Sequence, residues 1–160
     1  FAPARLLLAG LLLAASAGPA AAQVQRIAPA AVSAIPDETG LARLVWSTMA
    51  AVDHANKTGN YAVLRGLGSP AFQASNSERM LAGAFAGLRE QRINLSDTLS
   101  VEPSYEFQPG LENGMLRIRG AFRMRPQAVQ FDLLYQWNQG WMLQGVAVRT
   151  VPFSSLPPAR

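Results

Sequence analysis

Residues 115–151 read MLRIRGAFRMRPQAVQFDLLYQWNQGWMLQGVAVRTV. From Leu116 the apolar positions alternate. Leu116, Ile118, Gly120, Phe122 and Met124 share one face, and Arg117, Arg119, Ala121 and Arg123 share the other. A period of two over this length specifies a strand with one dry and one wet face. Val129, Phe131, Leu133, Tyr135 and Trp137 repeat the pattern in a second strand, and a third runs from Trp141 to Val151. Asn138-Gln139-Gly140 between them suits a three-residue hairpin loop with Gly at the left-handed position. That loop pairs Trp137 with Trp141, Tyr135 with Leu143, Leu133 with Gly145 and Phe131 with Ala147. The first two strands must join their dry faces. Pairing Met124 with Val129 does so, and sets Phe122 beside Phe131, Ile118 beside Tyr135 and Gly120 beside Leu133. A one-residue slip would turn a whole apolar set outward.

Upstream, Val101, Pro103, Tyr105 and Phe107 alternate with Ser100, Glu102, Ser104 and Glu106. Proline cannot donate to a ladder, so this reads as an edge strand. Pro109-Gly110 and Asn113-Gly114 mark the loop that follows. Earlier still, Leu41, Leu44, Val45, Thr48, Val52 and Ala55 form a helical stripe behind Ile35-Pro36-Asp37-Glu38, and Gly59 ends it. Asn60 opens a short helix to Leu67, Ser69-Pro70 opens another turn, and Asn76 or Ser77 caps a segment from Glu78 to Gln91. Helices followed by a four-stranded meander make an α+β domain, with the helices on one sheet face.

The first 22 residues read as a secretory signal peptide. Arg5 precedes a leucine-rich run, and Ala20-Ala21-Ala22-Gln23 supplies the small-residue cleavage site. The apolar run is too short to be a comfortable membrane span, so contact with a membrane is expected only during export. The sequence opens on Phe1 rather than Met, so the reading frame is expected to begin further upstream. Residues 23–35 form a flexible lead-in, 36–152 the domain and 153–160 a disordered tail. The chain has no cysteine, which excludes disulfides and thiolate metal sites. Export without disulfides suits a bacterial periplasmic or secreted protein. Net charge is +4, and loss of the leader with Arg5 lowers it by one. So small an excess, with no basic run, gives no reason to expect nucleic-acid binding.

Certain residues carry a family resemblance. Gly59-Asn60-Tyr61, Leu64-Arg65, Leu67 and Ser69-Pro70-Ala71-Phe72 lie between a long first helix and a later one. The chain closes on Trp141-x-Leu143-x-Gly145-Val146-x-Val148. This element order over about residues 36–151 resembles the NTF2-like superfamily. Its members include ketosteroid isomerases, polyketide cyclases and many uncharacterised secreted bacterial proteins, and the last group is the most similar. The resemblance implies a cone of three N-terminal helices on a curved antiparallel four-stranded sheet, with frequent dimerisation through the outer sheet face. It describes shape and not chemistry.

A ketosteroid-isomerase type of site needs an Asp base with a Tyr and a protonated Asp as oxyanion donors. The inner face assigned by the pairing above carries no Asp, Glu or His. Its polar handles are Tyr105, Tyr135, Trp137 and Trp141, with Arg149 at the rim. Small Gly145 among Phe122, Phe131 and the tryptophans leaves room for an apolar pocket, or for helix side chains that fill the same space. The candidate pocket is therefore Tyr105, Phe122, Phe131, Tyr135, Trp137, Trp141, Gly145 and Arg149. Leu134, Met142, Val146 and Val148 fall on the opposite face, and form the candidate homodimer interface.

His54 is the only histidine. Asp53 beside it is no catalytic partner, because adjacent helical side chains diverge by about 100°. His54 reads as a solvated side chain, and one His without Cys supports no metal site. Arg117, Arg119, Arg123 and Arg125 face Glu102, Glu106 and Asp132 across the strands, as on an ordinary charged sheet face. The expectation is an exported, non-catalytic binding or interaction module without cofactor or metal. Its partner is a small hydrophobic ligand or a second copy of the chain. The alternative is a small cofactor-free isomerase or cyclase acting on a hydrophobic substrate.

Overall fold

Asp37 sets the start of the first helix. Its carboxylate accepts the Gly40 N–H at 2.8 Å, and α1 runs Glu38–Thr58 to a left-handed Gly59. The computed structural model describes residues 35–157. The expected leader, nearly all of the lead-in and the last three residues of the expected tail lie outside them. Four short helices follow: α2 (Ala62–Gly66), α3 (Pro70–Ser75), α4 (Glu78–Ala84) and α5 (Ala86–Glu90). Ser69 and Ser77 cap α3 and α4, accepting the N–H groups of Phe72 and Met80. The single helix expected from Glu78 to Gln91 is broken at Phe85, which leaves the helical region at φ −102°, ψ 10°.

The sheet is antiparallel and has five strands rather than four. They are β1 (Pro103–Tyr105), β2 (Gly110–Glu112), β3 (Met115–Phe122), β4 (Gln127–Trp137) and β5 (Trp141–Pro152). The order is β1-β3-β4-β5, and β2 shares the β3 edge with β1. Pro103 opens edge strand β1, where its missing N–H costs least. β1 is shorter than its alternation predicts: a 3-10 turn over Leu95–Ser100 precedes it, and Val101, Glu102, Glu106 and Phe107 fall outside the strand. The extra strand β2 lies where a loop is expected. Asn113 and Gly114, both at positive φ, reverse the chain in two residues and pair Glu112 with Met115.

Two pairings differ from expectation. β3 and β4 are slipped by two residues: Phe122 faces Val129, Gly120 faces Phe131 and Ile118 faces Leu133. A two-residue slip preserves the faces, so the dry side is the expected one. On β5 the consequence is larger. Trp137–Trp141 and Tyr135–Leu143 pair as expected, but Leu134 then meets Gly145. Gln144 is the extra residue of a β-bulge, and beyond it the alternation inverts. Leu133 faces Val146 and Phe131 faces Val148.

The bulge has a visible cause. The chain between α2 and α3 lies along β5, where Ser69 N–H donates to the Leu143 carbonyl at 2.8 Å. Leu143 N–H donates to the Leu67 carbonyl at 2.9 Å. The Ser69 hydroxyl donates to the Gln144 side-chain carbonyl. The unpaired residue is thereby tied to the helical layer.

The core lies between α1 and the dry sheet face. Val45, Met49 and Val52 of α1, with Phe85 and Leu88, pack against Leu116, Ile118, Phe122, Val129, Phe131 and Leu133. Trp46 clamps the 3-10 turn to α1. Its indole N–H is shared between the carbonyls of Thr98 (3.2 Å) and Val101 (3.3 Å). Where disorder was expected from Phe153, the chain instead makes a 3-10 turn over Phe153–Ser155. Arg125 stacks on the Phe153 ring at 3.9 Å, and Arg123 donates to the Pro157 carbonyl at 2.8 Å.

Candidate functional site

The inner sheet face is filled by side chains. Phe122, Phe131, Leu133 and Tyr135 are each at most 3% exposed and belong to the same core as the α1 stripe. Tyr135 is a satisfied core residue. Its hydroxyl donates to the Leu44 carbonyl at 3.1 Å and accepts from Thr48 at 2.8 Å. Burial pushes its pKa well above the usual range, against a smaller opposing pull from Thr48. Trp137 and Trp141 meet edge to face at 5.3 Å, half-buried at the hairpin end of the sheet.

The bulge separates Gly145 and Arg149 from this group. Gly145 pairs with Leu134 on the outer face. Arg149 is also outward, donating to the Gln130 amide oxygen at 2.9 Å. Val146 and Val148 turn inward and pack against the core, so of the expected interface residues Leu134 and Met142 alone remain outside. That patch was the available signal. A bulge between Leu143 and Val146 places Trp141, Leu143, Val146 and Val148 together on the dry face.

On the outer face Arg117 holds Asp132 with two bonds, Nε–Oδ1 at 2.9 Å and Nη2–Oδ2 at 2.6 Å. Glu112 on β2 takes both Arg117 (3.0 Å) and Arg119 (2.8 Å). Asp132 was an expected partner. Glu112 takes the place expected for Glu102 and Glu106: β2 lies beside Arg117, and although the Glu106 N–H bonds the Arg119 carbonyl at 2.9 Å, its side chain makes no ion pair among the described residues.

Sequence reasoning missed Asp53. Side-chain exposure there is 2%, against exposed His54 next to it. Its carboxylate accepts from Lys57 Nζ (2.7 Å), the Ser96 hydroxyl (2.6 Å) and the Leu95 N–H (3.1 Å). Burial works to raise its pKa, but these three donors together hold it below the usual value. It ties the 3-10 turn to α1.

Tyr105 is the expected pocket residue that borders open space. A cleft of about 530 Å³ runs along the β1 edge. Its walls are the start of α1 at Glu38, residues 102–107, the adjoining part of β3 and the C-terminal pair Leu156 and Pro157. Tyr105 packs against the core, and its hydroxyl is buried with no hydrogen-bond partner among the described residues. Desolvation, and then the Glu38 carboxylate, raise its pKa. Glu38, Glu102 and Glu106 all border the cleft, and none makes an ion pair among the described residues. A second, smaller groove of about 260 Å³ lies between α1 and α2, beside His54 and Val63. Among the described residues no group of three or more His, Cys, Asp or Glu could hold a metal ion. No described helix is long and apolar enough to cross a membrane.

Comparison with protein-family models, curated proteins and solved structures gives no match for this chain.

Proposed function

We propose that this chain is an exported, non-catalytic binding module of NTF2-like shape, and that its ligand surface is the cleft along β1. The observation that carries this reading is the contrast between two surfaces. The inner sheet face is occupied by Phe122, Phe131, Leu133 and Tyr135, packed against helix side chains. The β1 edge instead offers about 530 Å³, within the range of small-molecule sites. The cone is supported by the helical layer against one face of the antiparallel sheet. Export is supported by the basic flank, leucine run and Ala-x-Ala site of the first 22 residues. A homodimer through the outer sheet face has less support than the sequence alone gives it. Leu134 and Met142 make a small patch, well below what a stable interface buries.

Amide chemical-shift mapping against a library of small fragments tests the cleft. Shifts are expected to centre on residues 102–107 and on Gly120. Shifts centred on Val45, Met49 and Phe131 would place the ligand under the helices and overturn the proposal. Intact mass of the exported protein is expected to start at Gln23 or within a few residues of it.

A further inference from the structure

We propose that the free edge of β5 pairs with β5 of a second copy of this chain. The two strands run antiparallel about a two-fold axis at Val148, and join two sheets into one. This surface is distinct from both the cleft and the outer sheet face.

Backbone direction comes first. Leu143 turns its N–H and carbonyl away from β4, toward Leu67 and Ser69. Its partner Tyr135 therefore points to β3, and the even-numbered residues of β4 point to β5. Their partners beyond the bulge are Gly145, Ala147, Arg149 and Val151. Val146, Val148 and Thr150 are left with N–H and carbonyl groups turned outward. β5 is the last strand of the sheet, and among the described residues no main-chain bond reaches those three from outside it. Thr150 meets the helical layer through its side chain, which donates to Gln91 at 2.9 Å and leaves the main chain free. The same edge already accepts a strand-like segment, since Gly68 forms a parallel bridge to it at Leu143.

The two edges of the sheet decide the occupant between them. Exposed edges are normally blunted by short strands, proline or charge. The far edge has all of these. β1 and β2 span 3 residues each, Pro103 opens β1, and Glu102, Glu106 and Glu112 stand along it. Gly145–Val151 has no proline and a single charge, Arg149. Pairing of β5 with the far edge of another molecule is thereby disfavoured, and such head-to-tail contact would not close. Pairing of β5 with itself closes after two copies. Centred on Val148, it sets Val146 beside Thr150 of the second copy, with β-branched side chains at every outward position. Val146 and Val148 pack against the core but stay half-buried, so the added strand covers their exposed remainder. On the outer face Arg149 crosses to Ala147 of the second copy, which is small and exposed, so like charges do not meet. The Arg149 guanidinium is also drawn back from the edge, donating to Gln130 on β4 at 2.9 Å.

Sedimentation of the exported protein, with amide exchange at low and high concentration, tests the pairing. A dimer is expected by on the order of 100 µM chain, as suits a small edge contact. With rising concentration the Val146, Val148 and Thr150 amides are expected to exchange more slowly. Those of Ala147 and Arg149 are protected throughout, because β4 holds them. Val148→Pro removes an outward N–H that β4 does not use, and should leave a folded monomer. Ala147→Lys sets a cation opposite Arg149 of the second copy, and Asp132 beside it is already held by Arg117. The dimer should weaken about fivefold or more, since the like-charge pair occurs at both symmetric positions. This variant decides the matter if Val148→Pro fails to fold. A parent protein that stays monomeric at about 1 mM would overturn the proposal. So would a dimer of unchanged affinity in Ala147→Lys. A dimer lost in Leu134→Lys, with the Val148 amide never slowed, would put the contact on the outer face and also overturn it. Slowing of the three amides only when an extended peptide from another protein is added would do the same, because the edge would then take a different occupant.

Discussion

A β-carbon on Gly120 would sit 2.2 Å from the carbonyl oxygen of Ser104 on the neighbouring strand. The same atom would lie 2.9 Å from the edge of the Phe131 ring. Gly120 therefore lets β1 and the Phe131 side chain close in on β3 together. The close approach fixes the wall of the cleft on which Tyr105 stands, because Tyr105 is the direct partner of Gly120.

Gly120→Ala is expected to cost about 1–3 kcal/mol, the usual range for overpacking, because the nearer obstacle is backbone and cannot rotate aside. Urea unfolding measures it. Loss of amide-exchange protection in β1 should accompany the drop. Stability equal to the parent would mean that β1 does not lie this close.

The β-bulge at Gln144 makes opposite predictions for neighbouring residues. A β-carbon on Gly145 would touch Leu134 at 3.4 Å, an ordinary contact on the outer face. Gly145→Leu is expected to stay within about 1 kcal/mol of the parent, as surface changes usually do. Val146→Asp places a carboxylate on the dry side and should cost about 2 kcal/mol or more. Thermal or urea unfolding of the two variants reads the register. The reverse ranking would show that β5 runs without a bulge.

Tyr135→Phe removes the hydroxyl that joins β4 to α1. Thr48 is left buried without this partner, and the Leu44 carbonyl loses a donor. A loss of about 1–3 kcal/mol is expected. Thr48→Val in the same background should recover part of it, since both polar ends are then absent. Additive losses from the two changes would show that the hydroxyls do not interact.

Asp53 links stability to acid. Its carboxyl has a folded-state pKa below the unfolded value, held there by Lys57, Ser96 and the Leu95 N–H against the effect of burial. A group depressed on folding contributes its stability fully above the unfolded pKa of about 4. That contribution disappears as pH falls from there through the lower folded value. Urea midpoints taken from pH 6 down to pH 2 should therefore fall less steeply for Asp53→Asn than for the parent. At neutral pH the variant should be less stable by about 1–3 kcal/mol. Parallel pH curves would show that Asp53 is not the residue responsible.

Much of this fold is legible in local pattern. The period-two alternation of Leu116–Phe122 and Val129–Trp137 assigns the dry face correctly even though the expected pairing is two residues off, because faces repeat every second residue. Helix ends are equally local. Asp37, Gly59, Ser69-Pro70 and Ser77 cap where their side chains or φ angles require. β2 was readable too, since Asn113-Gly114 is a two-residue hairpin turn between short segments.

What the sequence determined by itself, then, is the coarse order of helices before an antiparallel sheet, the dry and wet faces of β3 and β4, and the caps, each set by residues a few positions apart. Tertiary structure alone decided the rest. The bulge at Gln144 depends on Leu67–Ser69 arriving at the β5 edge from the helical layer, more than seventy residues earlier. Asp53 gives no local sign of burial, because its partners Leu95 and Ser96 lie more than forty residues away. The cleft joins the start of α1, β1, β3 and the C-terminal turn, and none of these forms a concave surface alone. Local periodicity reports which side of an element is apolar. Only packing decides where two such elements leave a gap between them, and which charges face it.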